Sequence, residues 1–406
     1  MARNERHRFH LYRLRKVFFA AVLFALGLFA FSISLILARS GSQNRQGFQS
    51  SPATFDTFSL TQSGQVYEVN TAGTNELLVS DYQAGTLWQI NAVTNVYTRY
   101  TGLGYVFDAR RNSDGTLWWV DQANTFSRMQ LPTGTYTTWQ ATAEGGSNLS
   151  GIAFDDVGRV WMTEFIGSAL YRFDPASNQL CTVTVPGGND SNYIIYNQGN
   201  LWFTTAFGTP RIQRLISNTN QLTSWNLSPS NSPLGIALDG SGNLWWADPG
   251  TGKIGEFKPG ISEFITYTPP INTSPSGLVW KDNRIWYAGD NSAQIGSLAI
   301  ATATGITRTA SSSTVSVGMA CQTISSSSVR SPTINTGSVS WSDTLITPTL
   351  DLNGWRVYSL TTGSSPYGIA GQRGSVWVTD QGLQQLIRLT DASSLKPRAF
   401  LPIVTR

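Results

Sequence analysis

Histidine is nearly missing from this 406-residue chain: there are two, His7 and His10, and none after them. An imidazole is the usual acid or base near neutral pH, so past residue 10 such chemistry falls to carboxylates, tyrosines or a metal-bound water. The many serines therefore lack the partner a hydrolytic triad requires. Cysteine is equally sparse, with Cys181 and Cys321 alone, and no Cys-x-x-Cys pair is present. Charged residues make up 13% of the chain, too few for long solvent-facing helices. No Gly-rich phosphate loop and no Gly-x-Ser-x-Gly elbow occurs.

The net charge of +4 is no sign of a nucleic-acid partner. Seven of the 28 basic residues precede residue 40, which leaves 21 basic against 23 acidic side chains in the rest. That body is weakly acidic and offers no patch to track phosphates.

The residues in plenty tell more. Val17 to Ala38 carries no charge over 22 residues, long enough to cross a bilayer at about 1.5 Å per helical residue. The basic segment 1–16 ahead of it stays cytoplasmic by the positive-inside rule, which sends the rest of the chain outward. Residues 17–38 thus read as a membrane anchor. The competing reading is a long signal peptide cut after Ser40, with secretion of the remainder.

Beyond a linker at 39–54, one phrase recurs: a Pro or Gly turn, Gly-Ile-Ala-like residues, a Gly turn, and an aromatic strand that ends in an acid. Examples are Pro233 to Asp239 followed by Leu244 to Asp248, and Gly151 to Asp155 followed by Val160 to Glu164. Leu78, Trp118, Trp161, Trp202, Trp245, Trp286 and Trp377 hold the anchor slot, at spacings of 40, 43, 41, 43, 41 and 91 residues. A period near 40 to 45 with several short strands per unit marks propeller blades. The expected fold is all-β: a seven-bladed β-propeller of four-stranded blades over 55–395, preceded by one N-terminal transmembrane helix and followed by a tail at 396–406. Strands are lettered a to d from the channel outward.

The last repeat lacks a fourth strand and the first is preceded by a spare one, so Phe55 to Leu60 is expected to pair with Gln385 to Leu389 and close the ring. The 91-residue gap contains a Ser/Thr-rich surplus, 303–352, read as an insertion between strands c and d of blade six. A degenerate eighth blade around Val339 to Asp343 is the alternative.

The Pro-x-Gly-Ile-Ala and Gly-x-Leu-Trp-x-x-Asp units at 233–248, 150–164 and 366–380 resemble those of the streptogramin (virginiamycin B) lyase family of seven-bladed propellers. The likeness to gluconolactonase/regucalcin-like and NHL-type propellers is more distant. The resemblance implies a Mg²⁺ site with a histidine and a glutamate acting together on the antibiotic. No residue here receives the role of that histidine.

Two sets of positions are candidates for chemistry. Asp81, Asp121, Glu164, Asp248, Asp290 and Asp380 end the b strands, with Thr205 in that place in blade four. They form either a partial carboxylate ring able to hold Mg²⁺ or Ca²⁺, or acids that accept hydrogen bonds from their own turns. Glu164, the one glutamate among them, is the catalytic candidate. The residues ahead of each Gly-Ile-Ala unit, Leu103, Ser150, Asn192, Leu234, Ser276 and Tyr367, should border the channel mouth. Their variety suits either a shaped binding surface or neutral drift.

Cys181 and Cys321 both fall in c-to-d connections. They either bridge, which would pin the insertion across the far end of the channel and persist outside the cytoplasm, or remain unpaired small apolar residues. The leading functional expectation is an extracytoplasmic platform, tethered or secreted, that binds a small-molecule or protein ligand on its channel face. The rivals are a lyase-like enzyme that uses carboxylates and a divalent cation, and a metal-dependent lactonase of gluconolactonase type.

Overall fold

The computed structural model describes residues 53–60, 64–141, 148–187, 191–206, 208–228, 232–341 and 344–391. The expected basic tail and anchor at 1–38, most of the linker and the C-terminal tail lie outside the described residues. Seven antiparallel sheets form a ring of blades. Blade five shows the plan: strand a is Ile236–Leu238, b is Leu244–Asp248, c is Lys253–Lys258 and d is Glu263–Tyr267. Blade seven takes its strands a to c from Pro366–Gln372, Ser375–Asp380 and Gln385–Asp391, and its strand d from the N-terminal Ala53–Ser59. Ala53 to Ser59 pairs with Asp391 to Gln385 residue for residue.

Alternation along strand b explains why both faces of each sheet are apolar. Trp161 packs toward blade four and Met162 toward blade two. Trp245 likewise faces blade six while Trp246 faces blade four. In every blade the anchor residue faces the next blade and its successor faces the previous one, so seven core clusters fill seven gaps. An aromatic side chain of this size buries roughly 150–250 Å², a gross gain of roughly 4–6 kcal/mol. Across the sheet, Trp118, Trp161, Trp202 and Trp377 pair with Arg128, Arg172, Arg214 and Arg388 on strand c. The four guanidinium carbons lie 5.6 to 5.8 Å from the ring centroids, within cation–π range.

The insertion is where expectation and structure part. It does not cross the channel and forms no eighth blade; it runs around the outer rim. Ile306–Thr309, Ser312–Ser316 and Met319–Thr323 add a fifth strand to blades five, four and three. Bridges at Ser326 and Arg330 touch strand d of blade two. Thr333–Ser338, Thr344–Ile346 and Leu350–Leu352 then pair with blades one, seven and six. The physical reason is that every outermost strand presents unpaired N–H and C=O groups, which a passing extended chain satisfies.

Apolar residues of the belt dip into six of the seven gaps. Ala303, Ala310, Val317 and Ile324 succeed one another at intervals of seven and enter four successive gaps. Val339 with Trp341, and then Ile346, enter two more. The backbone N–H groups of Ala310, Val317, Ile324 and Val339 donate to the carbonyls of Ser262, Asn220, Asn178 and Asn95. Those four acceptors all sit in left-handed turn conformations, φ 52° to 59°. Cys181, within strand d of blade three (Gln179–Thr184), stands opposite Cys321 in this belt, and the two form a disulfide.

Candidate functional site

Strand a of each blade borders the channel, and its register against strand b defines equivalent positions. Val69, Ala109, Ile152, Ile194, Ile236, Leu278 and Ile369 each face the residue after the anchor of their own blade. The residue before them is Gly151, Gly235, Gly277 and Gly368 in blades three, five, six and seven. The inner strands crowd one another there. A Cβ on Gly235 would lie 2.3 Å from the Ser276 carbonyl oxygen, and one on Gly277 would lie 2.5 Å from that of Tyr367. In blades one, two and four the same position holds Glu68, Asp108 and Tyr193. The ring is therefore regular in backbone and irregular in chemistry at one level of the channel.

Those exceptions meet. The Tyr193 hydroxyl donates to Glu68 Oε1, which joins blade four to blade one. Tyr67 and Tyr367 share a hydroxyl hydrogen bond of 3.0 Å with ring centroids 4.5 Å apart. Asp108 accepts from Asn70 Nδ2 at 2.7 Å, from the Ile152 N–H at 3.1 Å and from Arg110 Nε at 3.4 Å. Burial first, and the neighbouring Asp108 carboxylate second, raise the Glu68 pKa to about 8, against the opposing pull of Tyr193 and Arg110. Burial likewise holds the Tyr67, Tyr193 and Tyr367 phenols above their ordinary range. At neutral pH this network is thus a mainly protonated acid among neutral phenols.

Toward the d-to-a turns the network continues into an aromatic mouth. Tyr67 packs on Phe107 at 4.2 Å, Tyr82 on Tyr105 at 5.2 Å, and Tyr82 approaches Phe107 edge-on at 6.0 Å. Tyr82 donates its hydroxyl to Gln122. Tyr105 is half exposed.

The expected mouth residues divide. Tyr367 lies in the network. Ser150 and Ser276 are buried and act as pins between blades: Ser150 Oγ donates to the Ser191 carbonyl at 2.7 Å and Ser276 Oγ to the Tyr367 carbonyl at 3.0 Å. Leu234 is half-buried, and its carbonyl accepts from Thr204 Oγ1 at 2.9 Å. Asn192 is the second residue of its strand, Ser191–Asn197, and its side chain lies outside the described residues. Leu103 is a correction. Strand a of blade two begins at Asp108, so Phe107 is the equivalent residue, and Leu103 is buried in the gap between blades one and two. The sequence around Leu103-Gly104 imitates the repeat in a preceding turn.

Each strand-end acid is engaged with nearby backbone or hydroxyl groups. Asp81 accepts from the N–H groups of Gly64, Gln65 and Ala84, and Asp380 from those of Ser365, Gly382 and Leu383. Asp121 accepts from Ala123 and Thr125, Glu164 from Ala169, Asp248 from Ser232 and Thr251, and Asp290 from Ser365 Oγ. Burial raises the pKa of Asp121 and Asp290, against the opposing pull of these hydrogen bonds. Among the described residues no three His, Cys, Asp or Glu side chains gather into a group able to hold a metal ion. The donor set does not fit the Mg²⁺ site that the resemblance implies.

Sequence reasoning passed over Glu68, Asp108 and Tyr193. The signal for them was the loss of glycine from the Gly-Ile-Ala unit, which hid the units of blades one, two and four from a search by motif.

No protein-family model matches the sequence, and no curated protein matches it. Solved structures do. A catalytically inactive histidine-to-alanine variant of virginiamycin B lyase from Staphylococcus aureus, with quinupristin, superposes with a TM-score of 0.64 at 17% identity, covering 83% of this chain and 99% of that one. A streptogramin B lyase matches with TM-score 0.64 at 19% identity over 84% of this chain and 98% of that one. The extracellular domain of a hybrid two-component system protein from B. thetaiotaomicron matches with TM-score 0.53 at 12% identity, over 83% of this chain and 42% of that one. With its seven sheets, shared inter-blade cores and closing N-terminal strand, the chain has the β-propeller fold of the streptogramin B lyases.

Proposed function

We propose that this propeller is an extracytoplasmic binding platform, held at the membrane by residues 17–38, that takes a small-molecule or protein ligand at its aromatic mouth and does not act as a streptogramin lyase. The observation that carries the reading is the Tyr193–Glu68 and Tyr67–Tyr367 network, in which hydrogen-bonded phenols and an acid fill the channel beneath the mouth. No histidine follows His10, whereas the S. aureus lyase is catalytically inactive as a histidine-to-alanine variant. The uncharged run at 17–38 and the basic residues before it support the tether. The Cys181–Cys321 disulfide supports an oxidising compartment.

The test is turnover. The full chain in detergent is expected to leave streptogramin B antibiotics intact, since a positioned acid or base typically contributes about 10² to 10⁴-fold. Efficient linearisation, abolished by Glu164→Gln with the fold intact, would overturn the reading and make the strand-end carboxylates the active site.

A further inference from the structure

Below the tyrosine network, toward the a-to-b turns, the channel opens into a cavity of about 250 Å³. Its two halves differ in kind. Blades one, two and four supply the polar Glu68, Asn70, Thr71, Arg110 and Tyr193 together with Ile195, while blades five to seven supply a wall that includes Ile236, Leu238, Val279, Trp280 and Ile369. Among the described residues Arg110 is the one cation that lines it. Of its guanidinium, only Nε is engaged among the described residues, by the 3.4 Å contact with Asp108. That carboxylate already has shorter bonds from Asn70 and the Ile152 N–H. Both Nη groups of Arg110 thus remain for a planar anion, the geometry a guanidinium recognises best.

We propose that this lower channel is a second binding site, distinct from the mouth, for a small organic acid: the carboxylate pairs with Arg110 and the hydrocarbon body lies against Ile236, Leu238, Val279 and Trp280. A monoanion suits the site better than phosphate or a dicarboxylate. One cation serves the cavity, and the buried Asp108 beside it would repel a second negative charge. Glu68, largely uncharged at neutral pH, adds no further repulsion and offers its proton to a ligand oxygen. The volume lies below the roughly 300–1,000 Å³ of drug-sized pockets, which limits the ligand to about ten non-hydrogen atoms.

Phenylacetate is a probe of that size and kind. Calorimetric titration of the full chain in detergent should give a Kd on the order of 0.1–1 mM for phenylacetate. Phenylacetamide, acetate and inorganic phosphate should each bind at least about 10-fold more weakly. Arg110→Gln should lower phenylacetate affinity by about 10-fold or more, and Arg110→Lys by less. Leu238→Trp, which fills the apolar side, should abolish binding without touching the charge. Tyr105→Ala, at the mouth, should change nothing, which separates this site from the platform reading. The proposal falls if folded protein shows no phenylacetate binding up to about 10 mM, or if the amide binds equally well. It falls equally if Leu238→Trp leaves affinity unchanged, or if Tyr105→Ala abolishes it.

Discussion

The wall of the channel and the belt around the rim use opposite means to the same end. In the channel the backbone repeats and the side chains break the pattern, with Glu68, Asp108 and Tyr193 standing where four blades have glycine. On the belt the side chains are plain, rich in Ser and Thr, and the order lies in backbone pairing and, from Ala303 to Ile324, in one apolar residue every seven. Specific chemistry sits where strands crowd, and stability is gathered where they are exposed.

The contrast can be broken most forcefully at the belt's covalent tie. Cys181 and Cys321 close a loop with a sequence separation of 140, and such a cross-link stabilises by about 2–5 kcal/mol, chiefly by restricting the unfolded chain. Cys321→Ser, or reduction of the wild type, should lower stability by that order in urea unfolding, while the mouth keeps its near-ultraviolet tyrosine signal.

A change in the channel should act through pH. The folded Glu68 pKa, near 8, exceeds the unfolded value near 4.5, so the folded state binds the extra proton between those limits. Stability from this group is present in full below about pH 4.5 and is lost as pH rises through about 8, at no more than about 1.4 kcal/mol per pH unit. Glu68→Gln should flatten that part of the stability–pH curve and gain most over the wild type at pH 8 to 9. A parallel curve for the variant would show that the carboxyl is ionised in the fold.

The smallest effect belongs to the belt's apolar contacts taken singly. Val317→Ala removes two methyl groups from the gap between blades three and four. It should cost about 1–2 kcal/mol in chemical denaturation, whereas Val315→Ala, exposed on the adjoining strand, should stay within about 0.5 kcal/mol. Equal losses at both positions would mean that the seven-residue spacing carries no packing.

The architecture was legible because Trp118, Trp161 and their equivalents recur at one distance and each must fill one gap. Ring closure by the N-terminal strand came from counting strands. The course of the insertion was not legible from composition, since Ser and Thr on a rim strand face solvent and need no particular neighbour. Its signal was the recurrence at Ala303, Ala310, Val317 and Ile324, too sparse to suggest strands by alternation. At the channel, Ser150 and Ser276 look like ligand contacts until their hydroxyls are traced to the next blade's carbonyl. Glu68 and Tyr193 lie 125 residues apart and meet only after the ring has closed.

The belt also fixes an order of events during synthesis. It visits the blades backward, five to one, and only then reaches seven and six, so no outer edge of blades one to five can be covered until most of the chain has been made. Five sheets with open edges must wait in sequence, and open edges invite pairing with other chains. Its Thr344–Ile346 strand then lies beside Ala53–Ser59, whose other neighbour, Gln385–Asp391, is the last of the described strands. The first and the last of the described strands therefore meet in a single sheet, and a chain interrupted before residue 385 forms a ring that cannot shut.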